Sequence, residues 1–156
     1  MNKTFRQTVL ALAGLGCLAA PVWVSAHAGG AVMDIEGNSA GFSTLAQVTC
    51  FDDGNGVPDH LIAQIEDKFP PVPGLLTTLV ILKGSQMITT SDPFSGDGEP
   101  GPYIRLHGGP GLYTLMANKT AAGARDFEVE WHCNTADNVH SGTDVRVLQF
   151  GLPVRP

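Results

Sequence analysis

The chain of 156 residues is acidic, with 15 Asp and Glu against 9 Lys and Arg and a formal net charge of −6 at pH 7. Nucleic acid and anionic membrane surfaces repel such a chain, so we expect neither as a partner. The length suffices for one domain with its own hydrophobic core.

The first 26 residues have the pattern of a secretory signal peptide. Lys3 and Arg6 precede an uncharged apolar run that extends from Thr8 to Val24, and an A-x-A-like cleavage site ends at Ala26. The run is shorter than the ~20 apolar residues that a membrane-spanning helix needs. We therefore predict an exported protein, periplasmic or extracellular, whose mature part has no stable membrane insertion.

Two cleavage positions remain open. Cleavage after Ala26 predicts a leader of residues 1–26, a mature domain of residues 27–156 and His27 as the new N-terminus. Cleavage after Ala28, which ends a second A-x-A, would discard that histidine.

The mature part consists of short stretches that alternate apolar and polar residues, separated by Gly, Pro, Asn and Asp. This period of two is typical of half-buried strands, and no stretch shows a helical period of 3.6. We predict a single all-β sandwich of about eight short strands with Greek-key or jelly-roll connections. The stretches that read as strands are 31–36, 42–51, 60–69, 75–82, 86–90, 103–107, 112–119, 127–133 and 143–150. The strands at 112–119 and 127–133 are expected to form a hairpin.

Two cysteines remain after the leader. Cys50 and Cys133 each end an alternating strand on its apolar face. Two cysteines in an exported chain most often pair. We therefore predict a disulfide between packed strands.

The segment GGPGLYTLMANKTAAGARDFEVEWHC, residues 108–133, resembles the terminal hairpin of pre-peptidase C-terminal-type β-sandwiches. The wider pattern, CFDDGNG followed by KTAAG, HC and HSGT, is similar to small exported proteobacterial proteins with no assigned activity. The resemblance implies a fold and a location. It carries over no functional residue.

Histidines provide one candidate site. The predicted strand that carries Trp131 inward carries His132 outward, and His140 follows across a turn. Imidazole is the commonest protein ligand for Zn and Cu, and an N-terminal His27 would add its free amine. We predict that any bound Cu or Zn ion involves His132 and His140, with His27 joining if it survives processing. His60 and His107 also lie at predicted strand ends.

An acidic loop provides a second candidate. Asp52, Asp53, Asn55 and Asp59 place four oxygen-bearing side chains around two glycines, a composition that suits Ca²⁺. The alternative is a solvated hairpin loop that binds no ion.

Other motifs predict structure rather than chemistry. Residues 37–41 spell G-x-S-x-G, but a strand pattern follows where a nucleophile elbow needs a helix, so we interpret them as a turn. The aromatic residues are predicted to lie in the core; they are Phe42, Tyr103, Tyr113, Phe127 and Trp131.

No catalytic motif is present in the sequence, and we expect no enzyme activity. The sequence favours a non-catalytic exported binding or structural module whose partner is an unknown protein or small ligand. The alternatives are a metal-binding protein that uses the histidines and a calcium-binding protein that uses the acidic loop.

Overall fold

The computed structural model describes residues 27–68 and 70–149, so the predicted leader lies outside the described part. The described residues form nine strands in two packed antiparallel sheets, with no α-helix. The predicted all-β sandwich is therefore confirmed. Within the same residues, no helix has the length and apolarity needed to cross a membrane. The strands are β1 His27–Met33, β2 Ser43–Phe51, β3 His60–Asp67, β4 Thr77–Lys83, β5 Gln86–Ser91, β6 Ile104–His107, β7 Gly111–Lys119, β8 Arg125–Asn134 and β9 Gly142–Gln149.

The chain crosses between the two sheets at almost every connection. One sheet has the order β1-β8-β3-β6 and the other β5-β4-β7-β2-β9. Among the described strands, β4 and β5 are the consecutive pair that lies side by side in one sheet. The predicted hairpin of β7 and β8 is wrong, because residues 120–124 carry the chain across the core. The apolar residues of these two strands therefore enter the core from opposite sheets.

Strand β8 shows how the alternating sequence builds the core. Phe127, Val129, Trp131 and Cys133 are at most 8% exposed, while the residues between them lie half-buried on the outer face. The predicted core positions of Phe42, Tyr113, Phe127 and Trp131 are confirmed.

The prediction for Tyr103 is wrong. This residue precedes β6, is 48% exposed and donates its hydroxyl hydrogen to Glu130 Oε2 at 2.8 Å. A phenol can lie at the surface when its polar tip finds a partner there. Burial, followed by the neighbouring Glu130 carboxylate, raises the pKa of Tyr103 to about 12, so the hydroxyl remains a donor.

The predicted disulfide is confirmed. Cys50 on β2 and Cys133 on β8 are bonded across the two sheets, with their Cα atoms 5.5 Å apart. Disulfides persist in oxidising environments, so this bond favours a non-cytoplasmic, oxidising location for the folded chain.

Buried charges close the opposite end of the sandwich. Lys119 Nζ donates to Asp34 Oδ2 at 2.6 Å, and both side chains are at most 3% exposed. Burial opposes the ionisation of Asp34, but hydrogen bonds from Lys119 and three backbone N–H groups outweigh it and lower the pKa to about 2. One of those groups belongs to Ser39, so the G-x-S-x-G motif lies in a turn held by Asp34.

We predict that replacing Cys50 and Cys133 together by Ala lowers the free energy of unfolding by about 4 kcal/mol. The bond closes a loop with a sequence separation of 83 residues, and the unfolded state gains entropy when it is removed. Denaturant titration measures the change, and reduction of the wild-type protein should produce the same loss. Two free thiols in the non-reduced, processed protein would contradict the prediction.

Candidate metal centre

His132 lies on the outer face of β8, where Glu130 orients it. Its Nε2 is 3.0 Å from Glu130 Oε1. With Glu130 ionised, that contact requires the ring proton on Nε2, which leaves Nδ1 with a free lone pair in the neutral ring. His132 Nδ1 is buried and has no hydrogen-bond partner. A buried acceptor nitrogen without a donor is costly in a protein and suits a bound cation.

Two further side chains, one on β3 and one just before β6, donate hydrogen bonds to Glu130. Gln64 Nε2 on β3 and the Tyr103 hydroxyl donate to its Oε2, at 2.7 and 2.8 Å. Burial raises the pKa of Glu130, but the hydrogen bonds from His132, Tyr103 and Gln64 outweigh it, so the pKa lies below its ordinary value. The carboxylate that faces His132 is therefore ionised at neutral pH.

His140 reaches the same place through a tight turn. The Thr135 and Val139 backbones bond to each other at 2.9 Å, and Asn138 has the left-handed φ of 60°. The chain thus returns to β8, where His140 forms an isolated bridge with Asn134. The His140 and His132 ring centroids are 5.5 Å apart, and His140 Nε2 is a second buried nitrogen without a partner.

His27 is the third member of the cluster. It begins β1, and its ring centroid lies 5.3 Å from that of His140 and 6.3 Å from that of His132. The sequence did not predict the first part of β1, residues 27–30, as strand because two of these four residues are glycines. Gly30 is required by packing, since a Cβ there would lie 2.2 Å from the Phe127 carbonyl oxygen.

The spacing of the three rings fits one metal ion. The point equidistant from three centroids with these separations is about 3.3 Å from each. An imidazole bound at about 2.0–2.1 Å has its ring centre roughly 3.2 Å from the ion. The donor nitrogens do not all lie within 4.8 Å of one another, so at least one ring must turn to bring its nitrogen inward. We call His27, His132 and His140 the three-histidine cluster.

The acidic loop does not assemble in the same way. Asp52 Oδ1 accepts hydrogen bonds from the backbone of Gly54 and Gly56, and Asp53 Oδ1 accepts one from Asn55. The carboxylate of Asp59 turns away toward two other histidines. The three loop carboxylates therefore form no group with oxygens within 4.8 Å in the described residues. Calcium binding remains a prediction with no further support.

Sequence reasoning missed two parts of this region. Glu130 orients His132, and the spacing Glu-x-His on one face of a strand was the available signal. The other part is a group formed by Asp59, His60 and His107. That group depends on the order β8-β3-β6, which alternation within single strands does not reveal.

We predict that His140 titrates at a lower pH than an exposed histidine, whose pKa is about 6.5. Burial lowers the pKa of His140, and the neighbouring His132 and His27 add to this, while Asp53 opposes it. The ring should stay neutral until the pH falls below the ordinary value. NMR titration of the ring protons tests this in the metal-free protein, and His132→Ala should move the titration upward. A His140 titration at or above the ordinary value would contradict the prediction.

No protein-family model matches the sequence, and no curated protein or solved structure is significantly similar to it. A β-sandwich hosts many unrelated functions. The residues gathered at this end of the sheet therefore provide the basis for a function.

Proposed function

We propose that the protein is an exported metal-binding protein that holds one Cu(II) or Zn(II) ion in its three-histidine cluster. The observation that carries this proposal is the convergence of three imidazoles from three separate segments at the spacing of a single ion. The two buried ring nitrogens without hydrogen-bond partners, on His132 and His140, support it.

The donor set selects the class of metal. Imidazole nitrogens favour Cu and Zn, whereas Ca²⁺ takes oxygen ligands. Glu130 supplies the outer-shell carboxylate that commonly orients a metal-bound histidine, through the contact to His132 Nε2. In this arrangement His132 binds through Nδ1 and His140 through Nε2.

Processing of the leader adds to the proposal. Cleavage after Ala26 makes His27 the N-terminus, and its amine and imidazole then bind the same ion. Cleavage after Ala28 would remove a ring that lies beside both other histidines. We therefore favour Ala26 as the cleavage position, which intact-mass measurement of the exported protein decides.

The broader hypothesis of a loop-based binding module is less specific. It requires only exposed loops at one end of the sandwich, a property of most sandwiches. The three-histidine cluster gives a defined chemistry, and we prefer metal binding for that reason. The expectation that the protein is not an enzyme stays a prediction.

We expect equilibrium titration of the chain that begins at His27 with Cu(II) to show a tight equivalent in the three-histidine cluster. Outer-shell changes cost about 10-fold to 100-fold in affinity, so replacing a ligand should cost more. His132→Ala and His140→Ala should each weaken that equivalent by at least about 100-fold. One extra residue placed before His27 should weaken it too, because the amine moves away. A flat titration of the wild-type protein would contradict metal binding.

Glu130→Gln and Glu128→Gln form a matched pair for the same titration. Both residues lie on the outer face of β8, but Glu128 pairs with Lys68 at 2.6 Å instead of with a cluster histidine. We expect about a 10-fold loss of Cu(II) affinity for Glu130→Gln and none for Glu128→Gln. Equal affinities in the two variants would show that Glu130 does not orient the ligand.

A further inference from the structure

All five histidines of the chain lie at one end of the four-stranded sheet or in the loop beside it. Three form the cluster described above. The other two are cross-strand partners, His60 at the start of β3 and His107 at the end of β6, with ring centroids 5.0 Å apart. Imidazoles therefore lie on β1 and β8 and also on β3 and β6 at this end of the sheet. The pair on β3 and β6 has no role in the three-histidine cluster.

Asp59 completes a compact group with these two histidines. Its Oδ2 is 3.1 Å from His60 Nδ1 and 2.6 Å from His107 Nδ1. The three donor atoms all lie within 4.8 Å of one another. Among the described residues, no other group of three or more His, Cys, Asp or Glu side chains meets this distance. Two nitrogens and one oxygen this close together form a donor set for a transition metal.

The backbone holds this group in place before any ion arrives. The Asp59 N–H donates to the Asn134 carbonyl at 2.8 Å, and the Asp59 carbonyl accepts from Gly109 N–H at 2.9 Å. His60 is 2% exposed, so packing fixes its ring. The group therefore has one buried member, His60, and two more exposed members, Asp59 at 38% and His107 at 65% side-chain exposure.

Without an ion, the hydrogen bonds of this group leave one buried nitrogen without a partner. Both histidines must carry a proton on Nδ1 to donate to the same carboxylate oxygen. His60 Nε2 is then a buried atom without a partner, and it has none in the other tautomer either. An ion bound at the two Nδ1 atoms replaces the hydrogen bonds from these atoms to Asp59 and takes no partner from His60 Nε2. The Nδ1 protons move to Nε2, so the rings stay neutral.

We propose that Asp59, His60 and His107 form a second metal site, of the Zn(II) class, so that the protein binds two ions. Tetrahedral bonds of about 2.0–2.1 Å need donor atoms about 3.4 Å apart. The contact from Asp59 to His60 is close to that value, and the exposed ring of His107 can withdraw to reach it. One position of the tetrahedron is left for a water molecule.

The second site is separate from the three-histidine cluster. His60 pairs with Asn134 across the sheet, two residues beyond His132 on β8. Asp59 also bonds to the Asn134 carbonyl. The end of β8 thus lies between the two groups, and each can be removed by substitution without touching a ligand of the other.

Calorimetric titration with Zn(II) tests this inference through the stoichiometry. We expect two ions per chain in the wild-type protein and one in His107→Ala, which removes an exposed ring and no core packing. Asp59→Asn should remove the same ion, and His132→Ala with His140→Ala should remove the other. Ring-proton NMR should show that Zn(II) still shifts His132 and His140 in His107→Ala.

The outcomes separate the two proposals. One ion in the wild-type protein, retained in His107→Ala and lost in the His132→Ala, His140→Ala variant, would overturn the second site and keep the first. One ion lost in His107→Ala alone would support the second site and overturn the first. A stoichiometry that His107→Ala leaves at two would also overturn the second site.

Discussion

The Cys50–Cys133 bond is the constraint on which the candidate metal centre depends. It joins the end of β8 to β2 in the opposite sheet, one residue beyond His132. The chain that follows is held as well, since the Ser141 hydroxyl lies 2.9 Å from the Phe51 carbonyl oxygen and 2.7 Å from that of Gly56 and can donate its one hydrogen to either. The turn that carries His140 is therefore held at both ends: Cys133 before it is bonded to β2, and Ser141 after it contacts the end of β2 and the loop that follows. Histidines on such a frame keep their spacing without depending on the mobility of a long loop.

The two ends of the sandwich solve the problem of buried polarity differently. At the start of β8, the buried ion pair of Arg125 and Asp67 accompanies that of Asp34 and Lys119, and Arg125 Nε and Nη2 have no hydrogen-bond partner. At the other end, imidazoles accumulate, and one nitrogen each of His60, His132 and His140 lacks a hydrogen-bond partner. Each unpartnered buried polar atom in a folded protein needs an explanation, and a bound ion is one. In our account, metal ions supply the missing interactions.

Much of the fold could be predicted because alternation along a strand reports burial directly. Strand β8 shows this, since its inward residues belong to the core and its outward residues include Glu130 and His132 of the candidate site. Alternation does not report partners, and for that reason the hairpin of β7 and β8 was wrong. It also placed Tyr103 inward, because a short strand next to a proline-rich loop does not define which face its first residue takes.

In the candidate site, too, contacts between residues close in sequence could be predicted, and contacts that depend on strand pairing could not. His132 and His140 are close in sequence, and a turn between them was enough to predict their approach. His27 joins them because β1 pairs with β8, and that pairing rests on Gly30, a residue with no strand signal. The group of Asp59, His60 and His107 needed the neighbours of β3, which are set by contacts between residues far apart in the chain.

Anomalous X-ray scattering from crystals of the metal-loaded protein that begins at His27 tests the central claim most directly. Our account predicts a peak among the rings of His27, His132 and His140, within about 2.0–2.2 Å of one nitrogen from each. A peak that contacts neither His132 nor His140, or none at that position under saturating Cu(II) or Zn(II), would contradict it.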